Sequence, residues 1–191
     1  MRKLSKKGII YLSLLLLFII IVILGIVFIF KHTSKNYSPE ELTNQFFIKY
    51  QKEKEEVVSK IQWEFDDELS DTQLQRYKQL MKKQYRNLKY SIINSDNGDN
   101  DCNVEVHLTV IDLKSAYDKA NSYVESHRES FEDEKGDLDI NKTIDYKLEQ
   151  LESAKEIIDY SLKINFYKDS SDHWLMSQLS LSDLQKIDGV F

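Results

Sequence analysis

The first hydrophobic pattern in the chain is an uninterrupted apolar run near its start. Residues 8–30, GIIYLSLLLLFIIIVILGIVFIF, contain no charged residue and no proline. An α-helix rises about 1.5 Å per residue, so about 20 apolar residues cross the roughly 30 Å hydrocarbon core of a bilayer. The run is also longer than the apolar core of a cleavable signal peptide. It therefore predicts an uncleaved transmembrane anchor.

Basic residues on either side of this run predict its orientation. Four precede the run and two follow it: Arg2, Lys3, Lys6, Lys7, Lys31 and Lys35. Because basic flanks are retained in the cytoplasm, we expect a single-pass protein of the cell membrane with a cytoplasmic N-terminus. In this interpretation residues 1–7 are a cytoplasmic tail, 8–30 the transmembrane anchor, 31–37 a linker and 38–191 an extracytoplasmic domain.

The second pattern is helical and begins directly after the linker. Ser38-Pro39-Glu40-Glu41 supplies an N-cap serine, a proline at the first helical position and a glutamate at the third. Apolar residues at mostly helical spacing then predict one long helix with Lys52–Glu56 on its solvated face. These apolar positions are Leu42, Phe46, Tyr50, Val57, Ile61 and Phe65. Ser70-Asp71 predicts the start of a second helix, with Leu74, Tyr77, Leu80 and Met81 as its apolar positions.

The third pattern is alternation with a period of two, which predicts strands. Leu88, Tyr90 and Ile92 alternate with polar residues, and so do Val104, Val106 and Leu108. If both sets share one face of a hairpin, the numbers of paired residues must sum to an even value. This parity excludes a two-residue turn at 97–98. It favours a three-residue loop at 96–98 with Gly98 in the left-handed conformation.

The remaining elements repeat this succession of helices and strands. A third helix begins at Asp112, and its apolar stripe is predicted to extend through His127 to Phe131. An acidic break at 132–139 and a fourth helix at about 140–155 follow. The last elements are strands at 158–166 and 174–181 and a short helix capped by Ser182 and ended by Gly189. The order α-α-β-β-α-α-β-β-α predicts an α+β fold in which a curved antiparallel sheet of two hairpins packs against helices.

Charge and cysteine content restrict the classes of partner. All 32 acidic residues follow the apolar run, whereas four of the 26 basic residues precede it, which leaves a formal net charge of −10 on the remainder. Such a surface repels nucleic acid, so no nucleic-acid partner is expected. The acidity fits either simple solubility or a basic partner. Cys102 is the single cysteine, so the chain cannot form an internal disulfide.

The sequence lacks the common motifs of catalysis and cofactor binding. It contains no nucleophile elbow, phosphate-binding loop, dinucleotide fingerprint, zinc-protease motif or paired-cysteine motif. The four histidines, His32, His107, His127 and His173, fall on different predicted elements, whereas zinc requires three or four convergent ligands. We therefore expect no enzyme activity, no cofactor and no metal site, and we assign no catalytic residue.

One stretch could bind a cation weakly. Asp96, Asp99 and Asp101 flank Asn97-Gly98, and calcium prefers clustered carboxylate and carbonyl oxygens. The same residue types are favoured in a tight turn, and a turn alone is the favoured explanation. The acidic break at 132–139 carries the same two interpretations.

Aromatic residues make up 12% of the chain, and tyrosine is the commonest among them. Several lie in or beside predicted core elements: Tyr90, Tyr117, Tyr123, Tyr146, Tyr160 and Tyr167. They fit either a packed core and half-buried sheet face or an aromatic-lined groove of the kind common in binding sites.

Several segments together resemble a known group of proteins. QYRNLKYSI, VEVHLTVIDLKSAYDKANSYV, IDYKLEQL and the ending IDYSLKINFYKDSSDHWLMSQLSLSDLQKIDGVF are similar to uncharacterised surface-anchored proteins of Firmicutes. The resemblance spans about residues 40–191. It implies a Gram-positive source and an outer domain of the nuclear transport factor 2-like or cystatin-like class, with a curved sheet wrapped on helices. Many such proteins are lipoproteins, whereas this chain has no cysteine at the end of its apolar run.

The leading hypothesis from these observations is a membrane-tethered, non-catalytic binding or accessory module with a protein or peptide partner. A component of a conjugation or secretion machine is an alternative, as is an outward-facing immunity protein against a secreted toxin. An enzyme with a pocket on the concave face of the sheet is a third hypothesis, because folds of this class host both enzymes and non-enzymes.

Overall fold

The computed structural model describes residues 36–63 and 68–191. Helices α1 (Pro39–Gln51), α2 (Glu55–Val58) and α3 (Asp71–Asn87) lead into strands β1 (Lys89–Asn97) and β2 (Asp101–Ile111). Helix α4 (Leu113–Ser126), a 3-10 turn (Arg128–Phe131) and helix α5 (Ile140–Ser153) follow. Strands β3 (Ile157–Lys168) and β4 (Trp174–Met176) and helix α6 (Leu181–Asp188) complete the order. The predicted α+β class with an antiparallel sheet is confirmed.

The chain separates by its contacts into two units, Met1–Tyr37 and Ser38–Phe191. The predicted anchor at 8–30, the tail at 1–7 and most of the linker at 31–37 lie outside the described residues. Within the described ranges, no helix combines the length and hydropathy that a membrane crossing requires.

The sheet has the strand order β1-β2-β3-β4, and each neighbouring pair is antiparallel. The two predicted hairpins are joined by β2 and β3, which pair from Asp101↔Tyr167 to Ile111↔Ile157. Alternate residues of both strands are buried on one face, as the period of two predicted. Opposite them, polar residues such as Glu105 and Lys163 form an exposed face.

The first hairpin follows the predicted parity only in the part farther from its turn, up to the pair Ile92↔Val106. Pairs such as Tyr90↔Leu108 and Ile92↔Val106 sum to an even number, but a β-bulge between Ile92 and Asn94 shifts every later pair. The extra residue, Ile93, is 57% exposed. The chain therefore turns at Gly98–Asp101, where the Gly98 N–H donates to the Asp101 carbonyl oxygen at 2.8 Å. The predicted loop at 96–98 is wrong because a bulge changes parity within a strand.

Helix α1 begins where predicted and ends earlier than predicted. Its capping box is complete: the Glu41 N–H donates to Ser38 Oγ at 3.2 Å, and the Ser38 N–H donates to Glu41 Oε2 at 2.9 Å. The helix stops at Gln51, because Glu53 adopts a left-handed conformation with φ of 48°. The apolar spacing continues past this break into α2, so periodicity alone predicts one helix.

Two clusters of buried side chains form the core. In the first, helices α1 and α6 contribute Phe47 and Ile187, which lie in one cluster with the apolar face of the sheet. The second lies among α2, α3, α4 and α5 and includes Val57, Tyr77 and Leu148. The apolar face of the sheet is thus covered by packed side chains in the described part of the chain.

The last two elements differ from their predicted bounds. Strand β4 pairs over only three residues, and the cap of α6 is Ser180, which accepts from the Asp183 N–H at 3.1 Å. Gly189 ends α6 as predicted, in the left-handed conformation with φ of 74°. The third predicted helix also ends early, since α4 stops at Ser126 and the buried Phe131 belongs to the 3-10 turn that follows.

Candidate functional site

A cleft of about 510 Å³ opens beside the first core cluster, and it is called the α1–α6 cleft below. Binding sites for small ligands commonly measure about 300–1,000 Å³. Its apolar lining comes from five elements: Phe46 and Tyr50 of α1, Val57 of α2, Tyr85 of α3, Met176 of β4, and Leu181 and Leu184 of α6. Its polar lining consists of Lys49, Glu56, Lys60, Gln62, Gln185 and Asp188.

Three aromatic rings form one wall of the α1–α6 cleft. Phe46 and Tyr50 are four residues apart on α1, a spacing that brings side chains together on one helix face, and their ring centroids are 5.1 Å apart. Tyr50 also meets Tyr85 edge to face, with centroids 5.0 Å apart and ring planes at 86°. These contacts between two helices fix the rings before any ligand arrives.

The carboxylate of Asp188 meets this aromatic wall. The Tyr85 hydroxyl donates to Asp188 Oδ1 at 2.9 Å. Burial, reinforced by the negative charge of Asp188, raises the pKa of both Tyr50 and Tyr85 well above the usual range of tyrosine. Both hydroxyls therefore stay protonated at physiological pH, and Asp188 is the group that brings negative charge to the wall.

The backbone around Asp188 is held by Gln84, a buried residue of α3. Its amide nitrogen donates to the carbonyl oxygens of Ile111 at 2.8 Å and of Asp188 at 3.1 Å. Its amide oxygen accepts from the Ile111 N–H at 3.2 Å. The next carbonyl, that of Gly189, accepts from the N–H groups of Leu113 and Lys114 at 2.9 and 3.0 Å. These bonds tie the end of α6 to β2 and α4.

The rim of the cleft carries charged side chains, two of which form an ion pair. Lys49 Nζ lies 3.0 Å from Glu56 Oε1, and both side chains are about half exposed to solvent. This ion pair joins α1 to α2 beyond the helix break at Gln51. It matches the positive charge of Lys49 with a carboxylate that also lines the cleft.

The predicted cation stretch is divided between two strands and a turn. Asp96 pairs with Asn103 in the sheet, Asp99 lies in the turn, and Asp101 pairs with Tyr167. All three are exposed. Across the described ranges, no three histidine, cysteine, aspartate or glutamate side chains are arranged to hold a metal ion.

The acidic break is a loop organised by its own backbone. Asp133 Oδ1 accepts from the N–H groups of Lys135 and Asp137 at 2.8 and 3.0 Å. Asp139 caps α5 by accepting from the Lys142 N–H at 3.0 Å. Two of the loop's carboxylates therefore bind local N–H donors.

The three histidines within the described ranges lie on separate elements. His107 is on the exposed face of β2, His127 stacks on Tyr123 at the end of α4, and His173 is in the turn before β4. His127 therefore lies exposed just beyond the end of α4, and not on the apolar stripe that was predicted for that helix.

His107 belongs to a group whose composition resembles a catalytic triad. Its Nε2 lies 3.5 Å from Asp159 Oδ1, and Ser161 is its partner across the ladder. However, the Ser161 hydroxyl donates to Glu105 at 3.1 Å and not to the imidazole. These side chains are exposed on the open face of the sheet, without the enclosed surroundings that give such groups catalytic strength.

A second groove of about 530 Å³ lies between α4 and α5 and includes Tyr123 and Tyr146. The rings of these two tyrosines stack with centroids 5.2 Å apart, and His127 covers another side of Tyr123 at 4.0 Å. The aromatic residues thus occupy two kinds of position: Tyr90 stacks on Phe47 beside the core, whereas Tyr123 lines a groove.

Sequence reasoning placed Tyr50 on the apolar stripe of the first helix but missed two central residues of the cleft. Tyr85 could have been found, because it lies four residues after Met81 and so extends the predicted stripe of α3. Asp188 carries no such signal. Its position depends on contacts with residues about 100 positions earlier in the chain.

Comparisons with known proteins assign no family. No model of a protein family and no curated protein sequence matches the chain. Among solved structures, it is similar to the crystal structure of a "putative lipoprotein (ycdA)" from Bacillus subtilis subsp. subtilis str. 168, with a TM-score of 0.37 and 14% sequence identity. The match covers 80% of this chain and 47% of that one, so the chain spans about half the length of that protein. A TM-score below 0.5 does not establish a common fold.

Proposed function

We propose that the protein is a membrane-tethered, non-catalytic binding module outside the cytoplasm, and that it takes a protein or peptide partner in the α1–α6 cleft. The observation that carries this proposal is the cleft itself, in which aromatic rings held in place by contacts with one another lie beside the Asp188 carboxylate. Such an apolar cavity with a few convergent polar groups is the usual form of a binding site.

The tether in this proposal is a transmembrane helix at residues 8–30, with the basic tail inside and residues 38–191 outside. The apolar run and its basic flanks support this topology. The proposal also includes kinship with the surface-anchored proteins of Firmicutes, supported by the sequence segments quoted above.

A partner bound in the cleft should be within reach of Leu181, which lines it and is 65% exposed. We would place a photo-crosslinking residue at Leu181 in the full chain, in its native membrane. The matched control is Ile140, which is 54% exposed and lies outside the cleft. We expect one defined adduct from position 181 and none from position 140. Identical adduct patterns at both positions, or none at either, would contradict the proposal.

Digestion by a protease that is added outside intact cells, and that can reach the outer face of the cell membrane, tests the topology separately. We expect residues after the linker to be digested from outside while the basic tail is protected. Protection of the folded domain until the membrane is permeabilised would reverse the proposed orientation.

A further inference from the structure

We infer that the outer face of α3 docks on the anionic lipid headgroups of the membrane in which the protein is anchored. This inference rests on the tether of the proposed function and adds a second interaction surface, separate from the α1–α6 cleft. The contact is electrostatic, and it holds the domain in one orientation against the bilayer.

Positive charge is concentrated in one segment of an otherwise acidic domain. Residues 72–95, which comprise most of α3 and most of β1, contain six basic residues and no acidic one. The rest of the chain after the apolar run contains 16 basic and 32 acidic residues. Because the two signs are separated along the chain, one surface can attract an anionic partner that the remainder of the domain repels.

Helical geometry places this charge along one side of α3. The buried side of the helix carries six side chains: Gln73, Tyr77, Leu80, Met81, Gln84 and Tyr85. On the opposite side, at spacings of three and four residues, each position is a glutamine, a lysine or an arginine. These positions are called the α3 stripe below: Gln75, Lys78, Gln79, Lys82, Lys83 and Arg86. The stripe contains no apolar side chain that could enter the hydrocarbon of a bilayer, so it is suited to contact through charge alone.

The lysines of the α3 stripe differ from the arginines of the same helix. Both arginines are paired with carboxylates at 3.0 and 2.9 Å, in the ion pairs Arg76–Glu152 and Arg86–Glu53. Lys78, Lys82 and Lys83 form no ion pair within the described residues. Lys83 is exposed and the other two are half-buried, and their long stems can bring the ammonium groups to the surface. These three charges are therefore available to an anionic partner.

The bilayer is the anionic partner that the chain keeps within reach. The linker predicted at 31–37 has seven residues, which span at most about 25 Å when fully extended. In the proposed topology the folded domain therefore stays near the lipid surface, at a high effective concentration relative to it. Anionic headgroups attract lysine and arginine side chains that lie close to the bilayer.

The acidity of the rest of the domain does not prevent this contact. At physiological ionic strength the Debye length is about 8 Å, so charges farther from the lipid are largely screened. Each lysine at an anionic surface contributes about a fivefold preference for the docked state, and three lysines together contribute about 100-fold. The acidic remainder sets the orientation, because a face that carries carboxylates is repelled by the same headgroups.

The experiment measures contact between α3 and lipid headgroups for the full chain inserted in lipid nanodiscs. A bimane label is attached at Gln79→Cys, within the α3 stripe, and a nitroxide on some of the headgroups quenches it on contact. The native Cys102 is only 1% exposed and should not react with the label. The matched control is Asn165→Cys, on the open face of the sheet. We expect quenching at position 79 in discs that contain phosphatidylglycerol, none there in discs of phosphatidylcholine alone, and none at position 165 in either.

Matched triple variants assign the quenching to the lysines. Combining Lys78→Gln, Lys82→Gln and Lys83→Gln should lower the ratio of docked to undocked molecules about 100-fold and so abolish quenching. The control variant removes the same charge from three exposed positions outside α3, and its quenching should remain: Lys135→Gln, Lys142→Gln and Lys163→Gln. Circular dichroism checks that each variant is folded. If the α3 variant does not fold, added salt replaces it, because screening should release the wild-type domain from the bilayer.

Four results would overturn this inference. They are equal quenching at position 79 in neutral and anionic discs, no quenching there in either, quenching as strong at position 165, and quenching that survives in the α3 variant or in high salt. An acidic protein would then be the candidate partner of the α3 stripe.

The proposed function fails on different grounds. A chain that does not enter neutral discs lacks the tether, and this inference falls with it. Entry into the discs without quenching at position 79 removes the docking of α3 alone, and leaves the tethered module with its cleft.

Discussion

The α1–α6 cleft and the open face of the sheet contain similar chemical groups in different surroundings. In the cleft, Asp188 accepts a hydrogen bond from the hydroxyl of Tyr85. Tyr85 is only 3% exposed. On the sheet face, Asp159 accepts from the Thr109 hydroxyl and lies 3.5 Å from His107, but the Asp159 and His107 side chains are 58% and 46% exposed. Each place therefore offers a carboxylate with a partner within reach.

The difference shows that burial, more than residue type, decides what a polar cluster can do. Water competes for exposed hydrogen bonds and screens exposed charges, so such pairs contribute little to stability or affinity. In a partly enclosed cleft the same groups interact through a lower dielectric, and their charges act on one another more strongly. The triad-like composition of the sheet face is thus less informative than the enclosed Tyr85–Asp188 pair.

The largest expected effect concerns the backbone that holds the cleft together. A Cβ atom at Gly189 would lie 2.2 Å from the Ile111 carbonyl oxygen and 2.4 Å from Gln84 Nε2, and the residue is left-handed with φ of 74°. We expect Gly189→Ala to lower the free energy of unfolding by about 3 kcal/mol or more, because it combines strain with a clash. Urea denaturation of the full chain in micelles measures this change.

Gly136 is the control, since it has φ of 84° but no atom within 4 Å of an added Cβ. Gly136→Ala should cost about 1 kcal/mol, the price of the left-handed conformation alone. Equal losses in the two variants would show that the end of α6 is not held as tightly as its contacts indicate.

An intermediate loss of stability is expected at alkaline pH. Of the two regions compared, the cleft contributes to this loss. The pKa values of Tyr50 and Tyr85 are raised above the ordinary 10.0 by burial and by Asp188. Below pH 10 both hydroxyls are protonated in the folded and the unfolded chain, so stability is unaffected. Above pH 10 the unfolded chain releases these protons first, and stability should fall by about 1.4 kcal/mol per pH unit for each tyrosine.

Urea denaturation at pH 8, 10 and 11 measures this slope, and Tyr85→Phe should make it shallower by removing one of the tyrosines whose pKa is raised. The variant will be less stable than the wild type at every pH, because it loses the hydrogen bond to Asp188, so only the slopes are compared. A slope of stability against pH that is as steep in Tyr85→Phe as in the wild type would show that Tyr85 does not contribute to the alkaline loss of stability.

The smallest effect is expected on the open sheet face. Asp159→Asn and His107→Ala should each change the free energy of unfolding by less than about 0.5 kcal/mol, because both side chains are exposed. A double-mutant cycle should give a coupling energy no larger than that. A coupling above about 1 kcal/mol would mean that this group is better enclosed than its exposure suggests, and the contrast with the cleft would weaken.

The local signals of the sequence predicted most element starts better than element ends, with α6 as the exception, since its cap was misplaced and its end at Gly189 was correct. Ser38 and Asp112 were identified as helix caps because a capping residue acts within one turn of backbone. The strands β2 and β3 were identified because alternation extends over many residues of each. The end of α1 at Gln51 and the bulge at Ile93 were missed, since each is a single-residue departure that leaves the apolar pattern on both sides intact.

The sequence by itself determined the apolar run, the acidity of the remaining chain, the α+β succession of elements and the faces on which most apolar side chains lie. These follow from periodicity and composition, which act between neighbours in the chain. Only the tertiary structure decided that Tyr50, Tyr85 and Asp188 meet, because they lie on three helices separated by more than 30 residues in the chain at each step. Their meeting depends on how the end of α6 is held against β2 and α4, and no local pattern encodes such long-range contacts.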